Sequence, residues 1–235
     1  MTRLSVGDGL KFMGNPPAGC HNPEEYKGYE SLCREERILA DQARFAHIVG
    51  PRYADATLDN YTTDTESQES ALRSILAYAD DMKHEVMDLG TNIVLFGSTG
   101  TGKDHLLIGL ARRAIGHLCP VLWCNGVELH AQIRAAFGNR GAEDEESVIA
   151  RYTDKRVLIL SDPVPPAGTL SDFQASTLYR IVDSRYRNKK PIWTSLNVKD
   201  VAEARQRLGA AVVDRLRDGA IAIHCDWPSF RKARK

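Results

Sequence analysis

The sequence predicts an α/β fold in which helices cover a parallel sheet. From residue 92 onward, short apolar runs alternate with helical stretches, which is the usual pattern of such a sheet. A glycine-rich segment joins the first run to a helical stretch, and phosphate-binding loops of this fold class have that context. The runs that predict five strands are NIVLF (92–96), VLWC (121–124), RVLILS (156–161), PIWTS (191–195) and GAIAIHC (219–225).

Helical stretches fill the intervals between these runs. Ahead of the first run, ALRSILAYADDMKHEV has apolar residues at the spacing of an amphipathic helix. In the interval before the fourth run, Ser171 and Gln174 have the spacing of a capping box. The intervals contain DHLLIGLARRAIGHL, GVELHAQIRAAFG, AEDEESVIARY and SDFQASTLYRIVDSRYR.

The N-terminal part differs from the rest, because it has few strand-like runs and the breakers GNPPAG and GPRYAD flank a single helical stretch. We therefore expect a helical segment at 1–56, an α/β domain at 57–231 and a short basic tail at 232–235. The helix could present an apolar face to a partner or pack on its own α/β domain. That face would contain Tyr26, Leu32, Leu39, Ala43 and Phe45.

Composition restricts the class of protein. The 235 residues are 43% apolar and 26% charged, as in ordinary globular proteins. The 31 basic and 31 acidic residues cancel, which excludes a uniformly basic coat for nucleic acid but allows a local basic face. Five cysteines without a CxxC pair argue against a disulfide framework, and no run approaches the ~18 apolar residues of a membrane span. We expect a cytoplasmic protein without a membrane partner.

The segment GSTGTGKD (97–104) fits the first seven positions of the P-loop pattern. Glycines let the backbone N–H groups turn toward phosphate oxygens, the following helix adds its positive N-terminus, and Lys103 can reach the β and γ phosphates. The alternative is a glycine-rich turn with a surface lysine. We predict an ATP site formed by Gly97, Ser98, Thr99, Gly100, Thr101, Gly102, Lys103, Asp104 and His105.

The eighth position of the pattern departs from expectation, because Asp104 replaces the Ser or Thr that usually gives a hydroxyl to Mg²⁺. The third apolar run departs in the opposite sense, since it ends in Ser161 and Asp162 where two acidic residues are usual. We interpret the pair as an exchange, in which Asp104, Ser161 and Asp162 together serve Mg²⁺ and Asp162 polarises the attacking water. The alternative is a nucleotide binder that no longer hydrolyses ATP.

Three segments resemble one protein family. GSTGTGKDHLLIGLARRAI resembles the loop and helix of DnaC-type helicase loaders and IstB-type transposition helper ATPases, in which GKT is followed by HL. The preceding ATLDNYTTDTESQESALRSILAYADD, with its aromatic-containing turn, is similar to their lead-in. The C-terminal LGAAVVDRLRDGAIAIHCDWPSFR resembles their ending. The resemblance covers about residues 57 to 231.

This resemblance implies an AAA+ P-loop NTPase fold with three αβα layers and the strand order 5-1-4-3-2. It implies no large helical lid, because only ten residues follow Cys225. ATP would bind between subunits of an open spiral homo-oligomer, with a catalytic arginine supplied in trans. Arg215 matches that arginine, and Arg217 is the nearby alternative. Either residue could instead be an ordinary surface arginine.

Two further positions follow from the resemblance. Arg231 matches the terminal arginine of the family and would face the nucleotide of its own subunit, unless it is an exposed tail residue. The γ-phosphate sensor is an Asn in the family pattern Thr-Ser-Asn, whereas this chain has an inserted leucine. Either Asn197 reaches the site after a one-residue shift, or Ser195 replaces it.

The resemblance also implies the function: a DnaC-like ATPase that assembles on single-stranded DNA and deposits a replicative DNA helicase. One alternative is an IstB-like transposition helper, and another is a catalytically silent adaptor that binds nucleotide. Phosphate neutralisation would hold the DNA, although each candidate cation could also be an ordinary solvated residue. The candidates are Arg134, Arg140, Lys189, Lys190 and the basic tail.

Overall fold

A parallel five-stranded sheet forms the centre of the protein in the computed structural model, which describes residues 23–137, 144–164 and 168–231. The order across the sheet is β2-β3-β4-β1-β5, and every neighbouring pair is parallel. This order confirms the predicted α/β fold and the order 5-1-4-3-2. The strands are β1 (Ile93–Gly97), β2 (Val121–Asn125), β3 (Val157–Ser161), β4 (Ile192–Leu196) and β5 (Ile221–Cys225).

Helices cover both faces of the sheet. Side chains alternate along the strands, so that Ile93 and Leu95 pack toward α1–α3 while Val94 packs toward α4–α8. None of the helices in the described ranges is long and apolar enough to cross a membrane. The helices are α1 (Pro23–Val49), α2 (Glu66–Asp80), α3 (Lys103–Gly116), α4 (Gly126–Phe137), α5 (Glu145–Asp154), α6 (Asp172–Arg187), α7 (Val201–Leu208) and α8 (Ala210–Arg217).

Capping boxes fix the first turns of two helices. Ser171 Oγ accepts from the Gln174 N–H at 3.3 Å, and Gln174 Oε1 accepts from the Ser171 N–H at 3.0 Å, which confirms the predicted capping box of α6. Thr65 and Gln68 form the same arrangement at α2. Each box satisfies two backbone N–H groups that a helix N-terminus leaves without intrahelical partners.

The last turns of α1 pack on the α/β domain. Phe45 is 4% exposed within the core, and Gln42 exchanges hydrogen bonds with the backbone and side chain of Arg112 on α3. In contrast, Leu32 and Leu39 are 61% and 69% exposed. The end of the helix therefore packs on its own domain, while the exposed middle leaves the presentation of an apolar face to a partner as a prediction.

Asn92 joins three strands and α8 at the end of the sheet where the strands begin. The sequence predicts this residue as the start of the first strand, whereas β1 begins one residue later, at Ile93. Its Oδ1 accepts from the Ile192 N–H at 2.7 Å, and its Nδ2 donates to the carbonyls of Arg215 and Leu216 at 3.1 and 3.2 Å. Its own carbonyl accepts from the Ile221 N–H at 2.9 Å.

We expect Asn92→Leu to lower the free energy of unfolding by about 3 kcal/mol, because buried backbone groups on β4 and α8 would lose their partners. Urea denaturation monitored by circular dichroism measures this change. The control is Asn188→Leu, since the exposed Asn188 side chain bonds only the Ser184 carbonyl of its own helix. Equal effects of the two substitutions would contradict the role of Asn92.

Candidate nucleotide site

The glycine-rich P-loop by itself connects β1 to α3. Gly97 ends β1 and Lys103 begins α3. Gly97 must be glycine, because a Cβ there would lie 2.3 Å from the Cys225 carbonyl oxygen on β5. Gly102 has a φ of 83°, a left-handed conformation that favours glycine at the turn into the helix. The sequence pattern thus corresponds to a real strand–loop–helix unit.

Lys103 lies inside the loop. Its side chain is buried, and Nζ donates hydrogen bonds to the carbonyl oxygens of Gly97 at 3.0 Å and Ser98 at 2.6 Å. Burial lowers the pKa of Lys103, because a buried ammonium loses hydration. A bound phosphate oxygen would give Lys103 Nζ a charged acceptor in place of these neutral carbonyl oxygens. A charged acceptor favours the ammonium form of the lysine.

A cleft of about 990 Å³ opens beside the loop. It lies at the carboxyl ends of β1, β3 and β4, where parallel sheets of this type bind ligands. One wall is the segment between α1 and α2, and part of another is the C-terminal end of the described chain. The loop residues lining the cleft are Thr99, Gly100, Thr101, Gly102, Lys103, Asp104 and His105.

Two serine hydroxyls hold Asp104. Its Oδ1 accepts from Ser161 Oγ at 3.0 Å and from Ser195 Oγ at 2.6 Å. The two serines are register partners at the ends of β3 and β4. The predicted exchange partners, Asp104 and Ser161, are therefore in direct contact. The sequence did not predict the bond between Ser195 and Asp104, because only the pairing of β3 with β4 places Ser195 beside Ser161.

Asp162 lies directly after β3 in a left-handed conformation with a φ of 43°. Its N–H donates to the Ser195 carbonyl at 2.9 Å, and its Oδ2 accepts from Asn197 Nδ2 at 2.6 Å. Its Oδ1 is buried and accepts no hydrogen bond from the residues that the structure describes. Burial raises the pKa of Asp162, because the carboxylate loses more through lost hydration than its contacts with Asn197 restore.

The oxygen atoms around Asp162 suit a hard divalent cation. Asp104, Ser161 and Asp162 offer carboxylate and hydroxyl oxygens, the ligand types that Mg²⁺ prefers, and Asp162 Oδ1 is a buried acceptor without a donor. Within the described ranges, no group of three or more His, Cys, Asp or Glu side chains is placed to hold a metal. A cation here would thus draw further ligands from water or from a bound phosphate.

Both sensor candidates reach the cleft. Ser195 donates to Asp104, and Asn197 donates to Asp162, so the end of β4 contacts each carboxylate. The inserted Leu196 is the last residue of β4 and is 3% exposed in the core. Ser195 and Asn197, on either side of Leu196, both line the cleft. The two candidates for the γ-phosphate sensor therefore do not exclude each other.

The segment between α1 and α2 forms one wall of the cleft, and the P-loop pattern in the sequence did not indicate this wall. His105 Nε2 lies 2.9 Å from the carbonyl oxygen of Thr57 and 2.9 Å from Asn60 Oδ1, so it donates from the first turn of α3 to this segment. Tyr61 stacks edge-on against His105. The sequence feature that could have indicated this wall is the aromatic-containing turn ahead of α2.

The two predicted arginines occupy different places. Arg231 lines the cleft. Arg215 lies on α8, away from the cleft of its own chain, where Nε donates to Asp183 Oδ1 at 2.9 Å and Nη2 donates to the Tyr179 hydroxyl at 2.9 Å. Arg217 on the same helix is exposed. The position of Arg215 is compatible with action in a neighbouring subunit, which remains a prediction.

The candidate DNA-binding cations are not gathered at the cleft. Lys189 and Lys190 precede β4, at the opposite end of the sheet, and Lys190 Nζ donates to the Thr153 carbonyl at 2.7 Å near the end of α5. Arg134 is exposed on α4. Arg140 and the basic tail 232–235 lie outside the described residues.

Comparison with known proteins identifies the family. The IstB-like ATP binding protein family matches residues 27–235. The replicative helicase loader DnaC of Escherichia coli (strain K12) is 24% identical over 203 residues, covering 86% of this chain and 80% of DnaC.

Solved structures show the same fold. A crystal structure of the DnaC helicase loader superposes with a TM-score of 0.65 at 23% identity, over 74% of this chain and 99% of the other. A structure of DnaI superposes with a TM-score of 0.63 at 20% identity, over 77% of this chain and 94% of the other. With its P-loop in the predicted strand–helix context, the chain belongs to the family of IstB-like ATP-binding proteins.

Proposed function

We propose that this protein is an ATPase that acts as a DnaC-like loader of a replicative DNA helicase. The observation that carries the proposal is the convergence of a P-loop lysine, two carboxylates and Arg231 on one cleft. The similarity to DnaC over most of the chain supports the loader role. ATP would favour an assembly on single-stranded DNA, and hydrolysis would release it.

Each residue of the cleft has a proposed task. The loop N–H groups and Lys103 bind the phosphates, while Asp104, Ser161 and Asp162 hold Mg²⁺. When bound there, Mg²⁺ would supply positive charge against the negative charge that develops on the phosphates. Asp162 orients the attacking water, and Arg231 contacts the nucleotide of its own subunit. Arg215 reaches the cleft of a neighbouring subunit, which makes hydrolysis depend on assembly.

The proposed use of Asp104 agrees with the charges around it. Two like charges about 4 Å apart repel by roughly 4 kcal/mol at an effective dielectric of 20, so a carboxylate beside a phosphate needs a cation between them. The hydroxyls of Ser161 and Ser195 hold one oxygen of Asp104 and leave the other without a bond from the described residues. That arrangement supports a role for Asp104 as a cation ligand.

A transposition helper is the second candidate, because the matching family is named for IstB. The two candidates share the ATPase cleft and differ in the partner. Affinity capture with the purified chain, offered either a replicative helicase or a transposase, distinguishes them. We expect capture of the helicase, and selective capture of the transposase would overturn the loader role.

Lys103→Ala should abolish ATP binding and ATP hydrolysis, because the phosphates lose their only buried ammonium group among the described residues. Calorimetry with ATP measures binding, and phosphate release with and without single-stranded DNA measures turnover. We expect DNA to stimulate the wild-type chain. Binding without turnover in the wild-type chain would identify a silent adaptor instead. Lys155→Ala, at the end of α5, is the control and should behave like wild type.

The exchange of metal ligands predicts a reciprocal pattern. Asp104→Thr removes one carboxylate, and Ser161→Asp places a second carboxylate against Asp104, so each should lower ATP turnover at saturating Mg²⁺ by about tenfold or more, as expected for disturbed metal sites. The double variant should recover part of the lost activity, because it restores one carboxylate and one hydroxyl. Failure of the double variant to recover would exclude the exchange.

Mixed assemblies test the trans-acting arginine. Arg215→Ala should lower ATP turnover by about a thousandfold, and adding the Lys103→Ala chain should restore activity, since a subunit junction can then combine an intact cleft with an intact Arg215. Arg217→Ala is the matched control on the same helix. If only Arg217→Ala behaves in this way, the assignment moves to Arg217. Thermal unfolding of each variant separates loss of the Asp183 contact from loss of catalysis.

A further inference from the structure

The residues after β5 lie directly over the P-loop. Cys225, the last residue of β5, pairs with Gly97, the last residue of β1, so the two strands end side by side. The six residues Asp226–Arg231, called here the C-terminal strap, therefore meet the loop as soon as the sheet ends. Within the strap, Trp227 is 5% exposed and belongs to the core that contains α2 and α3.

Three donors from outside the loop bind two consecutive loop carbonyls. Trp227 Nε1 donates to the Thr101 carbonyl at 2.8 Å, and the Phe230 N–H donates to the Gly100 carbonyl at 2.9 Å. The buried Tyr61 hydroxyl donates to the same Thr101 carbonyl at 3.3 Å. The loop thus accepts hydrogen bonds from two segments, the one before α2 and the strap.

These bonds fix the direction of the loop N–H groups. In a trans peptide plane the carbonyl and the following N–H point in opposite directions. Fixing the carbonyls of Gly100 and Thr101 on the strap and Tyr61 therefore turns the N–H groups of Thr101 and Gly102 away from those donors. The Gly102 N–H donates to no acceptor in the part of the chain that the structure describes, which leaves it available for a phosphate oxygen.

The same contacts restrict the space around the loop. Phe230 and Tyr61 meet edge to face with ring centroids 5.9 Å apart. A Cβ at Gly102 would lie 2.8 Å from Tyr61 and 3.2 Å from Phe230. A Cβ at Gly100 would lie 2.0 Å from Ser229 Oγ. The strap and Tyr61 thus enclose the loop closely enough to resist a change of its peptide planes.

We infer that Trp227 and Tyr61 are positioning residues, which hold the P-loop in its phosphate-binding conformation before nucleotide arrives. The inference rests on the proposed ATP site and adds residues that the P-loop pattern does not contain. A loop that is already ordered loses less conformational entropy on binding, so the two donors raise the affinity for ATP. Neither residue needs to contact the nucleotide for this effect.

The test compares variants that remove one donor each. Tyr61→Phe loses only the donor to the Thr101 carbonyl, whereas Trp227→Phe keeps an aromatic ring but loses both that donor and part of the buried ring system. We expect about fivefold to tenfold weaker ATP binding for each, and a larger loss for the double variant, as measured by calorimetry with MgATP. Trp123→Phe is the matched control, because Trp123 is a half-buried tryptophan beside the same core on β2, which β3 and β4 separate from β1 and its loop.

Trp227 also supplies a spectroscopic readout. ATP should change the tryptophan emission of the wild-type and Trp123→Phe chains, and this change should be absent in Trp227→Phe. Wild-type affinity for ATP in both Trp227→Phe and Tyr61→Phe would overturn the inference while leaving the ATP site intact. Absence of ATP binding in the wild-type chain would instead overturn the proposed function. If Trp227→Phe fails to fold, Tyr61→Phe, which loses a single hydroxyl, decides the question.

Discussion

The hydrogen bonds from Ser161 and Ser195 to Asp104 connect the first turn of α3 to the ends of β3 and β4. They are possible only because those strands are neighbours and parallel, so that their carboxyl ends meet at one edge of the sheet. The bond from Asn197 to Asp162 adds a second link at the same edge. The loop, the proposed cation ligands and the sensor candidates therefore form one bonded unit.

This unit has an unusual placement of charge for a phosphate site. Asp104 and Asp162 contribute two carboxylates, and Lys103 and Arg231 contribute two cations to the same cleft. A typical P-loop has a neutral hydroxyl at the position of Asp104. The number of carboxylates is nevertheless the usual one, because Ser161 stands where a second acidic residue is usual, and the carboxylate has moved to the first turn of α3. At that position it repels the phosphates, so a divalent cation is needed to screen the repulsion.

Two segments far apart in the sequence of the α/β domain converge on the same loop. Tyr61 precedes α2, Trp227 follows β5, and both donate to the Thr101 carbonyl. The contacts that enclose the loop thus come from two short segments, one before α2 and one after β5.

The sequence by itself determined the strands, the P-loop and which polar or charged residues follow each strand. These are local properties: apolar runs, the spacing of glycine and lysine, and the capping pair Ser171 and Gln174 all depend on neighbours in the chain. The departures at Asp104 and Ser161 were also visible, and they predicted that the two residues act together. The order of the strands came from the family resemblance.

Only the tertiary structure decided which of these residues touch. Ser195 and Asp104 are 91 positions apart, and Trp227 and Thr101 are 126 apart. Such contacts depend on strand pairing and on the register of β3 with β4 and of β1 with β5, which no local pattern specifies. Tertiary packing also placed Arg215 against Asp183 and Tyr179, and buried Phe45 while leaving Leu39 exposed, because burial is a property of the assembled layers.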